Sequence, residues 1–310
     1  MKNAVEGYIL SYTNPDTDGV CSSIAYSIYM AKKGLNYQVL CAGAINAETQ
    51  YVLRLLHMDA PLCDVAYDAK KKIVLMDTHH LSQLPHLVNA ENVVRVFDHH
   101  PGGDDDVFVN ATIDNRAIGA AASIIAQMIL QDEMMDQTLA ILLGAAIVSN
   151  TLNFTAPSTS EFDREMFTRL KDFYPFDGNF YQGLFSEKNA ILQKSAKEIL
   201  QSDEKNFVAG GRKIRIAQLE LVDVPSSVDR EKLYQATAEC SEGADYYLVS
   251  IIDIFAGKTY VYAKEEHNKE LRNTIFGLSN TADEVTFDRI LLRKTDFIPQ
   301  INAIFTNKDE

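Results

Sequence analysis

Cysteine is scarce in this 310-residue chain, and the four present (Cys21, Cys41, Cys63 and Cys240) form no CxxC pair. That scatter speaks against a disulfide framework or a thiolate zinc site and fits reduced thiols in a cytoplasmic protein. Basic charge is also in deficit. The 29 Lys and Arg face 43 Asp and Glu, for a net charge of −14. Nonspecific grip on nucleic-acid phosphates calls for a basic face, so no nucleic-acid partner is expected. No apolar run approaches the roughly 20 residues that span a bilayer, and no charged leader precedes a long apolar segment. Neither a membrane partner nor a signal peptide is expected. Internal repeats and low-complexity tracts are missing too. What is present is ordinary for a protein with a real core, 46% hydrophobic and 23% charged residues. The length suits two domains.

The first half alternates short apolar runs with helical patterns. Strands are expected at 7–12, 37–40, 72–76 and 93–97, with helices at 19–33 and 47–56 between them. Strands separated by helices predict a parallel sheet. Two further helices, at 117–130 and 136–148, are rich in Ala, Ile and Leu and should be buried. Aromatics mixed with Pro175, Gly178 and Gly183 mark a change of character over 173–185. The domain boundary is placed just beyond, giving domains 1–188 and 189–310. The second reads as α+β: a polar helix at 187–200, strands at 213–219, 246–254 and 258–263, and a helix at 230–240. The tail 307–310 reads as frayed.

Ligands of parallel sheets bind beyond the carboxyl ends of the strands. Asp16, Asp77 and Asp98 all fall at that end. Each taken alone has a bland reading, since Asn14-Pro15-Asp16 is equally a turn and a helix cap. Asp98-His99-His100 is less ordinary, because paired imidazoles after a buried strand are uncommon. Together, three acidic strand ends and an imidazole pair on one edge are hard to ascribe to capping. Hard oxygen ligands and imidazole suit two divalent cations, which can clamp a phosphoryl group and activate water. His79 and His80 follow Asp77 closely, and one of them could join the site. His57, His86 and His267 carry no supporting pattern and read as structural or surface residues.

These motifs resemble the DHH phosphoesterase superfamily, and within it the family II, manganese-dependent inorganic pyrophosphatases with DHH and DHHA2 domains. The resemblance covers nearly the whole chain. Asn14-Pro15-Asp16-Thr17-Asp18 matches the first motif, Asp77 the second and Asp98-His99-His100 the third. Ser149-Asn150-Thr151 followed by Ala156-Pro157-Ser158-Thr159 matches the fourth. Asp203-Glu204-Lys205, Gln218 to Asp223 and Arg293-Lys294 before Pro299 match the second domain. The resemblance implies an α/β domain with a mainly parallel sheet, a smaller α+β domain and an active site in the cleft between them. It implies two divalent cations (Mn2+, Mg2+ or Co2+), one on Asp16 and Asp77, the other on Asp18, Asp77, His99 and Asn150. Asp77 would bridge them, and a metal-bridging water would attack phosphorus. His100 would touch the substrate and assist the leaving oxygen, while Lys205, Arg293 and Lys294 would hold phosphate oxygens. A homodimer is implied as well.

Two positions depart from the family pattern. Tyr12 stands where the family carries a metal-binding histidine, and Asn150 where it carries an aspartate. A neutral phenol with a pKa near 10 is a poor ligand, and an amide oxygen lacks the carboxylate's charge. Losing the imidazole shifts the first site toward all-oxygen ligation and toward magnesium. The expected activity is hydrolysis of a phosphoanhydride such as pyrophosphate. The alternatives are an exopolyphosphatase, a nucleotide phosphoesterase, or a degenerate phosphate-binding homologue with little activity.

Overall fold

The computed structural model describes residues 4–63, 68, 70–85 and 88–306. His86 and the tail 307–310 lie outside the described residues. The chain divides into two compact units, 1–187 and 188–310.

Unit 1 is built on a six-stranded sheet in the order β3-β2-β1-β4-β5-β6. Its strands are β1 (Gly7–Thr13), β2 (Tyr37–Ala42), β3 (Leu62–Cys63), β4 (Lys72–Met76), β5 (Val93–Asp98) and β6 (Thr112–Asn115). Every pairing is parallel. Nearly continuous apolar runs explain why: Ile73, Val74, Leu75 and Met76 of β4 are all buried, as strands covered on both faces must be. Among the described residues the α-helices of this unit are α1 (Thr17–Lys32), α2 (Ala47–Leu55), α3 (Ala121–Gln131), α4 (Gln137–Asn150), α5 (Glu161–Leu170) and α6 (Gly178–Ser186). Helix α4 is apolar all round and buried from Leu139 to Ser149, as expected of a helix inside a core.

Helix α1 starts at a definite signal. The Asp16 side chain caps it by accepting from the Gly19 amide at 3.0 Å. Glycine is required at 19 because a Cβ there would stand 2.5 Å from Ser11 Oγ on β1. The close approach of α1 to β1 puts the Asp16–Asp18 turn at the carboxyl edge of the sheet.

Unit 2 carries a five-stranded mixed sheet, β11-β10-β9-β8-β7. Its strands are β7 (Glu204–Ala209), β8 (Arg212–Leu221), β9 (Tyr246–Asp253), β10 (Lys258–Tyr262) and β11 (Glu284–Phe287). Strands β8 and β9 are parallel, and the other pairs antiparallel. Alternation along β8 serves two cores. Ala217, Leu219 and Leu221 enter one cluster, and Ile214 and Ile216 the other. Helices α7 (Ala196–Ser202), α8 (Val224–Ser227), α9 (Arg230–Gln235) and α10 (Thr237–Cys240) pack with the first cluster, and α11 (Glu266–Phe276) and α12 (Ile298–Thr306) with the second.

The expected polar helix at 187–200 is instead a 3₁₀ stretch, Glu187–Gln193, followed by α7. Ser195 restarts the helix through a capping box with Glu198. The expected helix at 230–240 breaks at Ala236 into α9 and α10. Strands β6, β7 and β11 were not legible in the sequence. All three are edge strands with mostly exposed or half-buried residues, and so lack the apolar signature. Among the described residues, no helix is long and apolar enough to cross a membrane.

Candidate metal centre

Strands β1, β4 and β5 are neighbours and point the same way. Their carboxyl ends therefore deliver Asp16, Asp77 and Asp98 to one edge. Asp77 leaves β4 in the left-handed conformation, φ 62°, which Asp tolerates better than most residues. Its side chain is 1% exposed, and neither carboxylate oxygen has a hydrogen bond. Oδ1 stands 3.2 Å from His99 Nε2 at ion-pair distance. Burial, then the Asp18 and Asp16 carboxylates, push the Asp77 pKa well up, against the pull of His99. A buried carboxylate left this way is costly. It is the kind of group a cation satisfies.

Asp98 plays a different part. It is fully buried, and its Oδ1 accepts from the His99 amide at 2.7 Å, the His100 amide at 3.1 Å and His100 Nδ1 at 2.8 Å. Its Oδ2 pairs with His79 Nδ1. Burial would raise its pKa, but the His100 and His79 contacts hold it well below the carboxylate range. Asp98 is thus an organiser that sets both imidazoles. His99 Nδ1 meets the Ile118 carbonyl at 3.0 Å, which leaves Nε2 facing Asp77. Burial opposes protonation of His99, yet Asp77 beside it draws the pKa up to about 10. Ligand atoms of Asp77, His99 and His100 all lie within 4.8 Å of one another. His100 is partly exposed and lines a pocket of about 570 Å³ with Arg116, Ser158 and Thr159.

Asp18 is fully buried on α1 and is held by distant partners. It accepts from Ser22 Oγ at 2.9 Å and from the Ala121 and Ala122 amides at 2.7 and 2.9 Å. Those amides open α3, whose N-cap Ala120 offers no side-chain cap; Asp18 takes that role. Burial lifts its pKa to about 6, with His99 opposing and Asp16 adding to the rise.

Residues 7–147 match the model of the DHH family N-terminal domain, and residues 182–304 that of the DHHA2 domain. The chain carries a DHH domain followed by a DHHA2 domain. This DHH protein is 28% identical to a manganese-dependent inorganic pyrophosphatase of Methanothrix thermoacetophila, over 96% of this chain and 98% of that one. It is 27% identical to a probable manganese-dependent inorganic pyrophosphatase of Clostridium acetobutylicum, over 97% and 98% of the two chains. A crystal structure from Methanococcus jannaschii assigned to the family II inorganic pyrophosphatases aligns with TM-score 0.69 at 26% identity, covering 96% of this chain and 99% of that one.

Within this DHH protein, Asp16, Asp18, Asp77, His99 and Asn150 are gathered in unit 1 through strand ends and helix termini. Tyr12 is there as well: its hydroxyl accepts from the Asp16 amide at 3.1 Å. Burial and the Asp16 and Asp77 carboxylates hold its phenol well above the usual value, so it stays neutral. Asn150 ends α4, and the next residues tighten sharply. Leu152, Asn153 and Phe154 have φ of 47°, 53° and 64°, a costly left-handed run. Asn150 Nδ2 donates to the Gly119 carbonyl at 2.8 Å and stands 3.2 Å from His99 Nε2 and 3.4 Å from Asp18 Oδ2. The nitrogen, not the oxygen expected as a ligand, faces the cluster.

His79 does not join Asp77 and His99. It is buried under Asp98, with Nε2 3.1 Å from Asp105 Oδ1. His80 is likewise outside the Asp77–His99–His100 group. In unit 2, Lys205 and Lys294 are exposed. Arg293 is not. Its guanidinium is spent on the Asp203 carbonyl at 2.7 Å, Asp203 Oδ1 at 2.7 Å and the Ile216 carbonyl at 3.1 Å. All three contacts lie within unit 2.

Sequence reading missed Asp163. Buried on α5, it accepts from the Gly119 amide at 2.7 Å and Ser123 Oγ at 2.6 Å, besides closing a capping box with Ser160. It fixes the backbone that receives Asn150. The Ser160-x-x-Asp163 spacing is a capping-box signal that could have flagged it. Gly119 allows this approach, since a Cβ there would lie 2.7 Å from Thr151 Cγ2.

Proposed function

We propose that this DHH protein is a divalent-cation-dependent phosphohydrolase that cleaves a phosphoanhydride, with pyrophosphate or a short polyphosphate as substrate. The observation that carries the reading is Asp77, a buried carboxylate with no hydrogen bond on either oxygen, beside an oriented imidazole. The donor set of carboxylates and imidazole fits manganese or magnesium, in keeping with the manganese-dependent relatives. Asp16, Asp77 and His99 are the residues that would hold it. When bound, such an ion polarises a phosphoryl oxygen and lowers the pKa of water.

The chain's own groups do the rest. Asp98 fixes the two imidazoles through four hydrogen bonds to its carboxylate, from the amides of His99 and His100 and from the rings of His100 and His79. His100 Nδ1 is held by Asp98, which leaves Nε2 to meet substrate and pass a proton to the leaving oxygen. The pocket beside His100 takes the substrate end distal to Asp77. Lys205 and Lys294 supply cationic contacts to phosphate oxygens.

A second reading, phosphate binding with little turnover, is favoured by Tyr12 and by the Asn150 nitrogen. Phosphate release from pyrophosphate, tripolyphosphate and a nucleotide, each with manganese, magnesium or cobalt, separates the two. The hydrolase reading expects turnover of at least one substrate that Asp77→Asn abolishes. Binding of phosphate without any turnover would leave the second reading standing.

A further inference from the structure

We infer that this chain holds one divalent cation rather than two, on Asp16, Asp77 and His99, because the Asn150 amide closes the second position. The inference rests on the proposed cation-dependent function and specifies it.

The identity of the Asn150 atom is set by its partner. The Gly119 carbonyl can only accept, so the group 2.8 Å from it is the amide NH2. That nitrogen stands between His99 Nε2 and Asp18 Oδ2. A cation there would need oxygen lone pairs and would meet the positive hydrogen end of an amide dipole instead. Turning the amide over would set two oxygens against each other at Gly119.

Asp18 has little left to offer. Oδ1 already accepts from Ser22 and Ala122, and Oδ2 from Ala121. Its remaining lone pair faces the Asn150 amide. By contrast, neither Asp77 oxygen has a hydrogen bond, with Oδ1 at ion-pair distance from His99, and the Asp16 Oδ1 accepts from the Gly19 amide. Two carboxylates and one imidazole make a ligand set for one ion with open positions. Their two negative charges also balance one dication. A second dication would add two positive charges with only a committed Asp18 to answer them.

The test is metal stoichiometry. Full-length protein is stripped with chelator and titrated with Mn2+, following free Mn2+ by EPR and bound ions by native mass spectrometry. Wild type should bind one Mn2+ per chain. Asn150→Asp should bind two and show a spin-coupled Mn2+ pair. Tyr12→His should stay at one and bind at a lower midpoint concentration. Two ions on the wild type, or one on a folded Asn150→Asp protein, would overturn the inference. If Asn150→Asp does not fold, the wild-type count decides alone. No ion bound by folded wild type at millimolar Mn2+ would instead sink the cation-dependent function itself.

Discussion

In unit 1 the Asp77 carboxylate is 1% exposed, carries no hydrogen bond on either oxygen and lies near two more carboxylates. In unit 2 the Arg293 guanidinium is 6% exposed and makes three hydrogen bonds to Asp203 and Ile216. Arg272, fully buried, is bonded to Asp283, Asn280 and Asn273. Asp253 accepts from the Val224 and Ala256 amides. Both units bury charge, and unit 1 also satisfies Asp18, Asp98 and Asp163 from within; Asp77 is the one carboxylate among the described residues left with no hydrogen bond on either buried oxygen. A charge matched by its own fold is structural, whereas one left unmatched is held for something the chain does not contain.

The sharpest way to break this contrast is Asp77→Asn. Activity should fall by ~10³-fold or more, about 4 kcal/mol of barrier, with loss of Mn2+ binding. Mn2+ binding by a folded Asp77→Asn protein as tight as that of the wild type would contradict the account of Asp77.

Next in size is Arg293→Ala. It leaves the Ile216 and Asp203 carbonyls without their guanidinium donor and should cost about 1–3 kcal/mol in chemical denaturation. Arg293→Lys should not restore stability, because a single ammonium cannot serve both Asp203 and Ile216. A raised KM with unchanged stability would return Arg293 to the substrate. For Lys205→Ala and Lys294→Ala the expectation is the reverse. KM for pyrophosphate should rise about tenfold or more, while stability stays within about 0.5 kcal/mol.

The smallest effect is one of pH. Burial acts to raise the Glu220 pKa, but the Lys188 ammonium, 3.0 Å away, holds it below the ordinary value. A depressed carboxyl stabilises the fold above its unfolded pKa of about 4.3, and that stabilisation is lost as pH falls through the lower folded value. Lys188→Met should therefore reduce stability at neutral pH by on the order of 1 kcal/mol and flatten the acid limb of the stability curve. An unchanged acid limb would mean the pair contributes nothing.

Legibility followed the range of the signals. Strands β1, β2, β4 and β5 were readable because burial on both faces demands unbroken apolar runs. The joint position of Asp16, Asp77 and Asp98 was readable because parallel strands place their carboxyl ends together. Edge strands β6, β7 and β11 were not, since strands with so few buried residues carry too little apolar pattern. The parts of the centre that escaped were roles rather than positions. Asp98 was seen as part of a motif, yet its work is to hold His79, His99 and His100. Arg293 was seen as a cation, yet its partners lie 90 and 77 residues away.

From the chain alone came the alternation of strand and helix, the parallel sheet and the edge on which acidic and imidazole groups collect, because periodicity and strand direction are local properties. Only the tertiary structure decided that Asp18 caps α3 across 103 residues, that the Asn150 nitrogen faces His99, and that Arg293 is consumed within its own unit. Each of those outcomes turns on a hydrogen bond between groups far apart in sequence. Such a bond exists only once packing has brought the partners within about 3 Å.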